Sequence, residues 1–226
     1  MEIKVNFLNQ ADLEKVDPIV FRYELKKVFD ASIPWENPQY DAAFQDHYLE
    51  QAKSAVLIRD ENNEPIALSI CFFETLNEKK ILYIAGIWVD TRFKSQGIGK
   101  VIISTLIDCS INELDTEDTN NIYIALRTQN AQIYEYFNRH YDLYPHWTKK
   151  PGEDVVAVAS LVHKNYSSNK IYETESLIIR GAYPQGIIVG HVHLSRDKNI
   201  GSFISDKLNI LNGDCYVLVM KYNTKK

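Results

Sequence analysis

The sequence predicts a mixed α/β fold. Residues 54–59 and 66–73 are apolar runs split by a polar turn, as in an antiparallel hairpin. Residues 81–89 form a run free of charge and proline that ends in a turn containing Gly97 and Gly99. Past Gly99 the apolar residues Ile98, Ile102, Leu106 and Cys109 recur at three- and four-residue steps, the pattern of a packed helix face.

Taken in order, residues 2–8 alternate Ile3, Val5 and Phe7 with polar neighbours and predict a first strand. Asp17 and Pro18 supply an N-cap and a first-turn proline, so a helix is expected through 19–29. A proline-punctuated turn holds Pro34, Trp35, Glu36 and Pro38, and the helix expected after it carries Tyr40, Phe44, His47 and Tyr48 on one stripe. That stripe reads as core or as the wall of a binding site. The hairpin follows, and a turn over 74–80 leads into 81–89, whose unbroken apolar character predicts burial on both faces. After the helix that starts at the glycine turn, 114–121 is an acidic and amide-rich surface loop. A strand is expected over 122–126 and a helix over 131–141.

From residue 145 the pattern changes. Gly152, Glu153 and Asp154 read as a helix start with acids in the first turn, so 155–164 is expected helical, its valines making a strand the alternative. Residues 177–180 and 215–222 read as late strands able to pair. The segment between them, 181–213, is long for a loop, and a short helix is expected over 202–211. His191 and His193 share a strand face there but lack a third ligand, so a surface or core role is expected and no metal site. With no repeat and no linker in view, 1–226 reads as one domain: a motif-bearing core over 1–144, then an elaboration over 145–226 that completes the sheet.

Composition narrows the function. The 226 residues are 45% hydrophobic and carry a net charge of −5, which argues against nucleic acid or an anionic membrane as the main partner. No apolar run approaches bilayer length and the N-terminus lacks a signal-peptide core, so a soluble, cytoplasmic protein is expected. Cys71, Cys109 and Cys215 are far apart in apolar runs and are expected as free, buried thiols.

The strand, glycine turn and helix over 81–100 form the stretch suited to chemistry. A helix N-terminus offers unpaired N–H groups and the positive end of the peptide dipole, and glycines let a phosphate come close. Lys94 and Lys100 bracket the turn with positive charge. A Walker A loop needs glycine where Lys94 stands and Ser or Thr where Val101 stands, and a dinucleotide fingerprint needs glycine at Ile102. Both fail.

The run from Val89 through Lys94-Ser95-Gln96-Gly97-Ile98-Gly99-Lys100 to Ile103 resembles the acyl-coenzyme A motif of the GNAT family of N-acetyltransferases. Lys94 stands where the family uses Arg or Gln, and Ser95 where Gly is frequent. Asn130, Ile133, Phe137 and Tyr141 resemble the family's later helix, with Phe137 in place of its usual tyrosine. The resemblance implies a mostly antiparallel twisted sheet flanked by helices, and an enzyme using acetyl-coenzyme A and no metal. It implies that the backbone of Gln96, Gly97, Ile98, Gly99 and Lys100, with Lys94 and Ser95 in the same motif, holds the pyrophosphate. The pantetheine would follow Ile87, Trp88 and Val89, with Asn130 and Phe137 on the coenzyme side. Trp35, Tyr40 and Tyr48 would wall the acceptor site, with Glu36 a weaker amine-recognising residue. Tyr134, one turn before Phe137, is the expected proton donor to the departing thiolate; the alternative is a packing role for Tyr134 and a thiolate that leaves unaided. Glu74, at a strand end, is a candidate base that no spacing singles out. The acceptor is read as a small-molecule or peptide amine, and a homodimer is left open. A catalytically weak acyl-coenzyme A-binding module is the alternative to an enzyme.

Overall fold

A computed structural model of the chain describes residues 2–32, 51–114, 119–183, 195 and 197–224. The chain divides into two compact units, one of residues 1–73 and 84–116, the other of 74–83 and 117–226. The architecture is mixed α/β, with a mostly antiparallel open sheet flanked by helices.

The first unit contains β1 (Lys4–Leu8), the short helix α1 (Gln10–Leu13), α2 (Pro18–Ser32), β2 (Ser54–Arg59) and most of β3 (Pro65–Leu76). It also holds the second half of β4 (Lys79–Val89) and the helix α3 (Ile98–Glu113). Its strands run in the order β1-β2-β3-β4. As the sequence predicts, Asp17 caps α2 by accepting the N–H of Ile19 at 2.8 Å ahead of Pro18. The hairpin turn is organised by Asp60, whose carboxylate accepts the N–H groups of Asn62 at 3.0 Å and Glu64 at 2.9 Å. Val28, Ile58, Ile70, Ile102 and Leu106 are fully buried and form the core of this unit.

The second unit holds the first half of β4, β5 (Ile122–Thr128), α4 (Ala131–His140), β6 (Leu143–Tyr144) and α5 (Glu153–Tyr166). It continues through β7 (Ile171–Glu173), β8 (Ile178–Arg180), α6 (Lys198–Ser205) and β9 (Cys215–Lys221). Its strand order is β4-β5-β9-β8-β7, with β6 also on β9. The late strands pair as expected, Ile178 opposite Tyr216 and Ile179 opposite Cys215. Residues 153–166 are helical because Val155, Val158 and Val162 bury one face at helical spacing, while Asp154 in the first turn meets the Lys79 ammonium at 3.0 Å.

Four expectations are corrected. The helix expected over 202–211 is α6, capped by Asp197, followed by a separate 3-10 turn over Ile210–Asn212 that ends at Gly213 with φ 83°. β6 and β7 are too short to show a period and were not expected. Burial on both faces holds for Ile81 to Ile84, whereas Ala85, Gly86, Ile87 and Val89 are half-buried. Of the three free cysteines, Cys71 and Cys215 are buried and Cys109 is half-buried. His191, His193, Glu36 and the aromatic stripe of Tyr40 to Tyr48 lie outside the described residues.

Candidate coenzyme site

The loop between β4 and α3 is held rigidly from below. Asp90 ends β4, and its N–H donates to the Ile66 carbonyl at 2.9 Å. Its buried carboxylate accepts the Arg92 N–H at 2.9 Å and three guanidinium bonds at 2.6, 3.0 and 3.2 Å. Burial alone pushes the Asp90 carboxyl up, and the Arg92 bonds outweigh it and hold the group below the usual carboxylate range. A 3-10 turn over Thr91–Phe93 follows, and Gln96 donates its side-chain amide back to the Arg92 carbonyl at 3.1 Å.

Two residues then enter the left-handed region, Ser95 at φ 64° and Gly97 at φ 83°. This reversal turns the chain into α3, whose N-cap is Gly97 with no side-chain cap. The Gly97 carbonyl accepts from the N–H groups of Lys100 at 3.0 Å and Val101 at 3.1 Å, which sets the first turn. A Cβ placed on Gly97 or on Gly99 meets nothing within 4 Å, so neither glycine is required by packing inside the protein. What the two glycines leave is open space over a helix N-terminus.

Lys94 does not turn toward that space. Its ammonium donates to the Ser32 carbonyl at 2.8 Å, at the C-terminal end of α2, and desolvation holds its pKa below the usual lysine value. Ser95, Gln96, Gly97 and Lys100 are exposed and Ile98 is buried. Along β4, Ile87 and Val89 are half-buried, whereas the Trp88 ring is buried edge-on to Phe29 of α2 at 5.9 Å. The Trp88 ring also covers Gly86, where a Cβ would lie 1.8 Å from it.

In the second unit, Asn130 caps α4, accepting the N–H of Gln132 at 2.8 Å. Phe137 is fully buried. Tyr134 is buried among Trp147, Phe203 and Tyr216, donates its hydroxyl to the Pro145 carbonyl at 2.6 Å, and has its pKa pushed far up by burial. Glu74 accepts the Tyr166 hydroxyl, a partner 92 positions away that no local pattern announces. Arg127 likewise reaches the Tyr83 hydroxyl at 2.8 Å across 44 positions, and sequence reasoning missed both. Trp35, Tyr40 and Tyr48 lie outside the described residues. Among the described residues no group of three His, Cys, Asp or Glu could hold a metal ion, and no helix is long and apolar enough to cross a membrane.

The model of the Acetyltransferase (GNAT) family matches residues 22–140, just over half of the 226-residue chain. No curated protein matches the sequence. Among solved structures, Naa50 of Arabidopsis thaliana in complex with a bisubstrate analogue, CoA-Ac-MVNAL, is similar in fold at a TM-score of 0.50 and 13% identity, covering 98% of this chain and 100% of that one. A NatC complex bound to Gag peptide and CoA matches at a TM-score of 0.45 and 15% identity, over 98% of this chain and 99% of that one. Ribosomal-protein-alanine N-acetyltransferase of Brucella melitensis matches at 0.40 and 16%, over 61% and 90%. The chain belongs to the GNAT acetyltransferase family and is an acyltransferase dependent on acetyl-coenzyme A.

Proposed function

We propose that the protein is an N-acetyltransferase that moves an acetyl group directly to a primary amine within a ternary complex. The observation that carries the reading is the start of α3, where Gly97 and Gly99 leave open space beside an uncapped helix N-terminus. Acetyl-coenzyme A, when bound, supplies the activated thioester. The N–H groups from Gln96 to Gly99 hold its pyrophosphate, the Lys100 N–H being engaged by the Gly97 carbonyl, and the exposed Lys100 side chain adds positive charge at the rim. Lys94 and Ser95 shape this loop, the Lys94 ammonium acting on the end of α2. The half-buried edge of Ile87, with Trp88 and Val89 in the same run, guides the pantetheine, and backbone amides near Val89 polarise the carbonyl where oxyanion charge develops.

Asn130, as its cap, and the fully buried Phe137 hold α4 in place within the second unit. For Tyr134, the bond to Pro145 supports the packing role, with the thiolate leaving unaided, since a thiol of pKa about 8.5 is a good leaving group. Trp35, Tyr40 and Tyr48 stay proposed as the acceptor wall. The whole chain works as one acyltransferase domain, in the cytoplasm, on a small-molecule or peptide amine; nucleic acid is no partner, in keeping with the net charge of −5, and a homodimer is left open.

Calorimetry with acetyl-coenzyme A and thiol release with a panel of amines test the reading together. Binding with turnover is the expected result. Binding without turnover points to the coenzyme-binding module, and absence of binding overturns both.

A further inference from the structure

β1 is the first strand in the sheet order, and its outer edge meets no strand among the described residues. Sheets guard such edges with proline, bulges, inward charges or very short strands. β1 has no proline, and its register with β2 runs without a shift from Lys4 opposite Arg59 to Leu8 opposite Ala55. Its one charge, Lys4, stands at the start of the strand. By contrast β7, the last strand in the order, has three residues and carries Glu173.

A groove of about 510 Å³ lies beside the open edge, between β1, β2 and α2, with Asn6, Phe7, Val16, Val20, Glu24 and Arg59 among its walls. Arg59 donates to Glu24 at 2.5 Å and to the Asn63 carbonyl at 3.1 Å, so the charges of the groove are satisfied inside the unit. What is left unsatisfied is apolar. Val5 is 37% exposed, and α2 exposes Ile19, Val20 and Tyr23 at 77%, 51% and 68%. Exposed apolar side chains of this size next to an unpaired strand edge mark a docking surface.

We propose that this surface is the interface of a homodimer in which β1 pairs antiparallel with β1 of a second copy, about a two-fold axis at Asn6. The strand is self-complementary in that register. All five of its residues are paired, Val5 faces Phe7 of the other copy, and Lys4 faces the neutral Leu8. A β-branched residue opposite an aromatic one stabilises an antiparallel pair. An axis at Lys4 would oppose two ammonium groups, and an axis at Val5 or Phe7 would pair only three residues of the strand. The half-buried Asn6 side chain makes no hydrogen bond among the described residues, and at the axis its amide meets an identical amide, donor to carbonyl. Asn6 stands opposite Leu57 and shares the face of Arg59, which reaches Glu24 of α2, so the joined strands carry both copies of α2 on one face. Five paired residues fall short of the ~800 Å² per partner of a standard interface, and Ile19, Val20 and Tyr23 widen the contact. An isologous interface of this kind closes on itself and leaves no open edge at β1.

Sedimentation equilibrium at micromolar protein tests the interface, with Asn6→Asp, Asn6→Cys and Lys4→Cys beside wild type. Wild type is expected as a dimer. Asn6→Asp, nearly isosteric, sets two carboxylates against each other at the axis and should weaken the dimer by about 100-fold with circular dichroism unchanged. Mild oxidation should join Asn6→Cys into a covalent dimer, because directly opposed residues have Cα atoms about 4.5–5.5 Å apart, within disulfide range. Lys4→Cys should stay unlinked, its two copies standing about 14 Å apart along the strands. The cysteine pair decides the matter even where Asn6→Asp loses its fold. A monomeric wild type overturns the proposal, including one whose groove instead takes an extended peptide from another protein. So does a dimer that a folded Asn6→Asp leaves intact, or an Asn6→Cys protein that crosslinks no faster than Lys4→Cys.

Discussion

Lys94 and Ser32 are joined by a 2.8 Å hydrogen bond that ties the glycine loop to the last turn of α2. The ammonium thus serves the negative end of a helix. Lys94→Met is expected to lower stability by about 1 kcal/mol, read as a shift in the urea midpoint, while coenzyme A affinity changes less than threefold. A tenfold loss of affinity at unchanged stability would instead place the ammonium on the phosphates.

Gly97→Asp puts a carboxylate into the space that faces the helix N-terminus. Coenzyme A binding is expected to vanish in calorimetry, because the new charge meets the pyrophosphate at close range. The φ of 83° adds a conformational cost of about 1 kcal/mol and the protein stays folded, which circular dichroism checks. Unchanged affinity would move the coenzyme site elsewhere.

Gly86 has the opposite character. A methyl group there would overlap the Trp88 ring, so Gly86→Ala is expected to drive Trp88 off Phe29. Overpacking of this kind costs about 1–3 kcal/mol, and a red shift of tryptophan emission should accompany it.

Tyr134→Phe removes one buried hydrogen bond to Pro145. A stability loss of about 1 kcal/mol is expected, with turnover within threefold of wild type. Turnover that instead drops about 100-fold, at unchanged KM and stability, would restore Tyr134 as the proton donor.

Asp214 sets a pH dependence. Its buried carboxyl is pushed up by desolvation but pulled lower by Arg180 and by the N–H groups of Gly181 and Asn209, so it ends below the usual value. Since the folded pKa is the depressed one, this contribution is present above the unfolded value near 3.9 and is lost as pH falls through the folded value. Asp214→Asn should therefore cost about 2 kcal/mol at pH 7, and the difference from wild type should shrink below pH 4 in urea titrations.

What sequence conveys about this protein follows the range of the interactions. The run from Ile81 to Gly99 was legible because a strand, a glycine turn and an amphipathic helix each depend on neighbours a few residues away. The helix over Glu153–Tyr166 was legible for the same reason, through Glu153 and Asp154 in its first turn. The direction of Lys94 was not, because Ser32 stands 62 positions away. Neither was the assembly of Glu74, Tyr83, Arg127 and Tyr166, which only the folded sheet brings together. β6 and β7 were invisible because two and three residues cannot establish a period.

The buried cysteines have a consequence for the cell as well as the fold. Cys71 lies 2.8 Å from the Ser54 hydroxyl, and burial pushes its thiol up to about 11 and that of Cys215 up to about 12. Thiols so placed are almost wholly protonated at neutral pH, and the thiolate is the form that attacks. An enzyme that releases free coenzyme A at every turnover thereby keeps Cys71 and Cys215 out of mixed disulfides with its product.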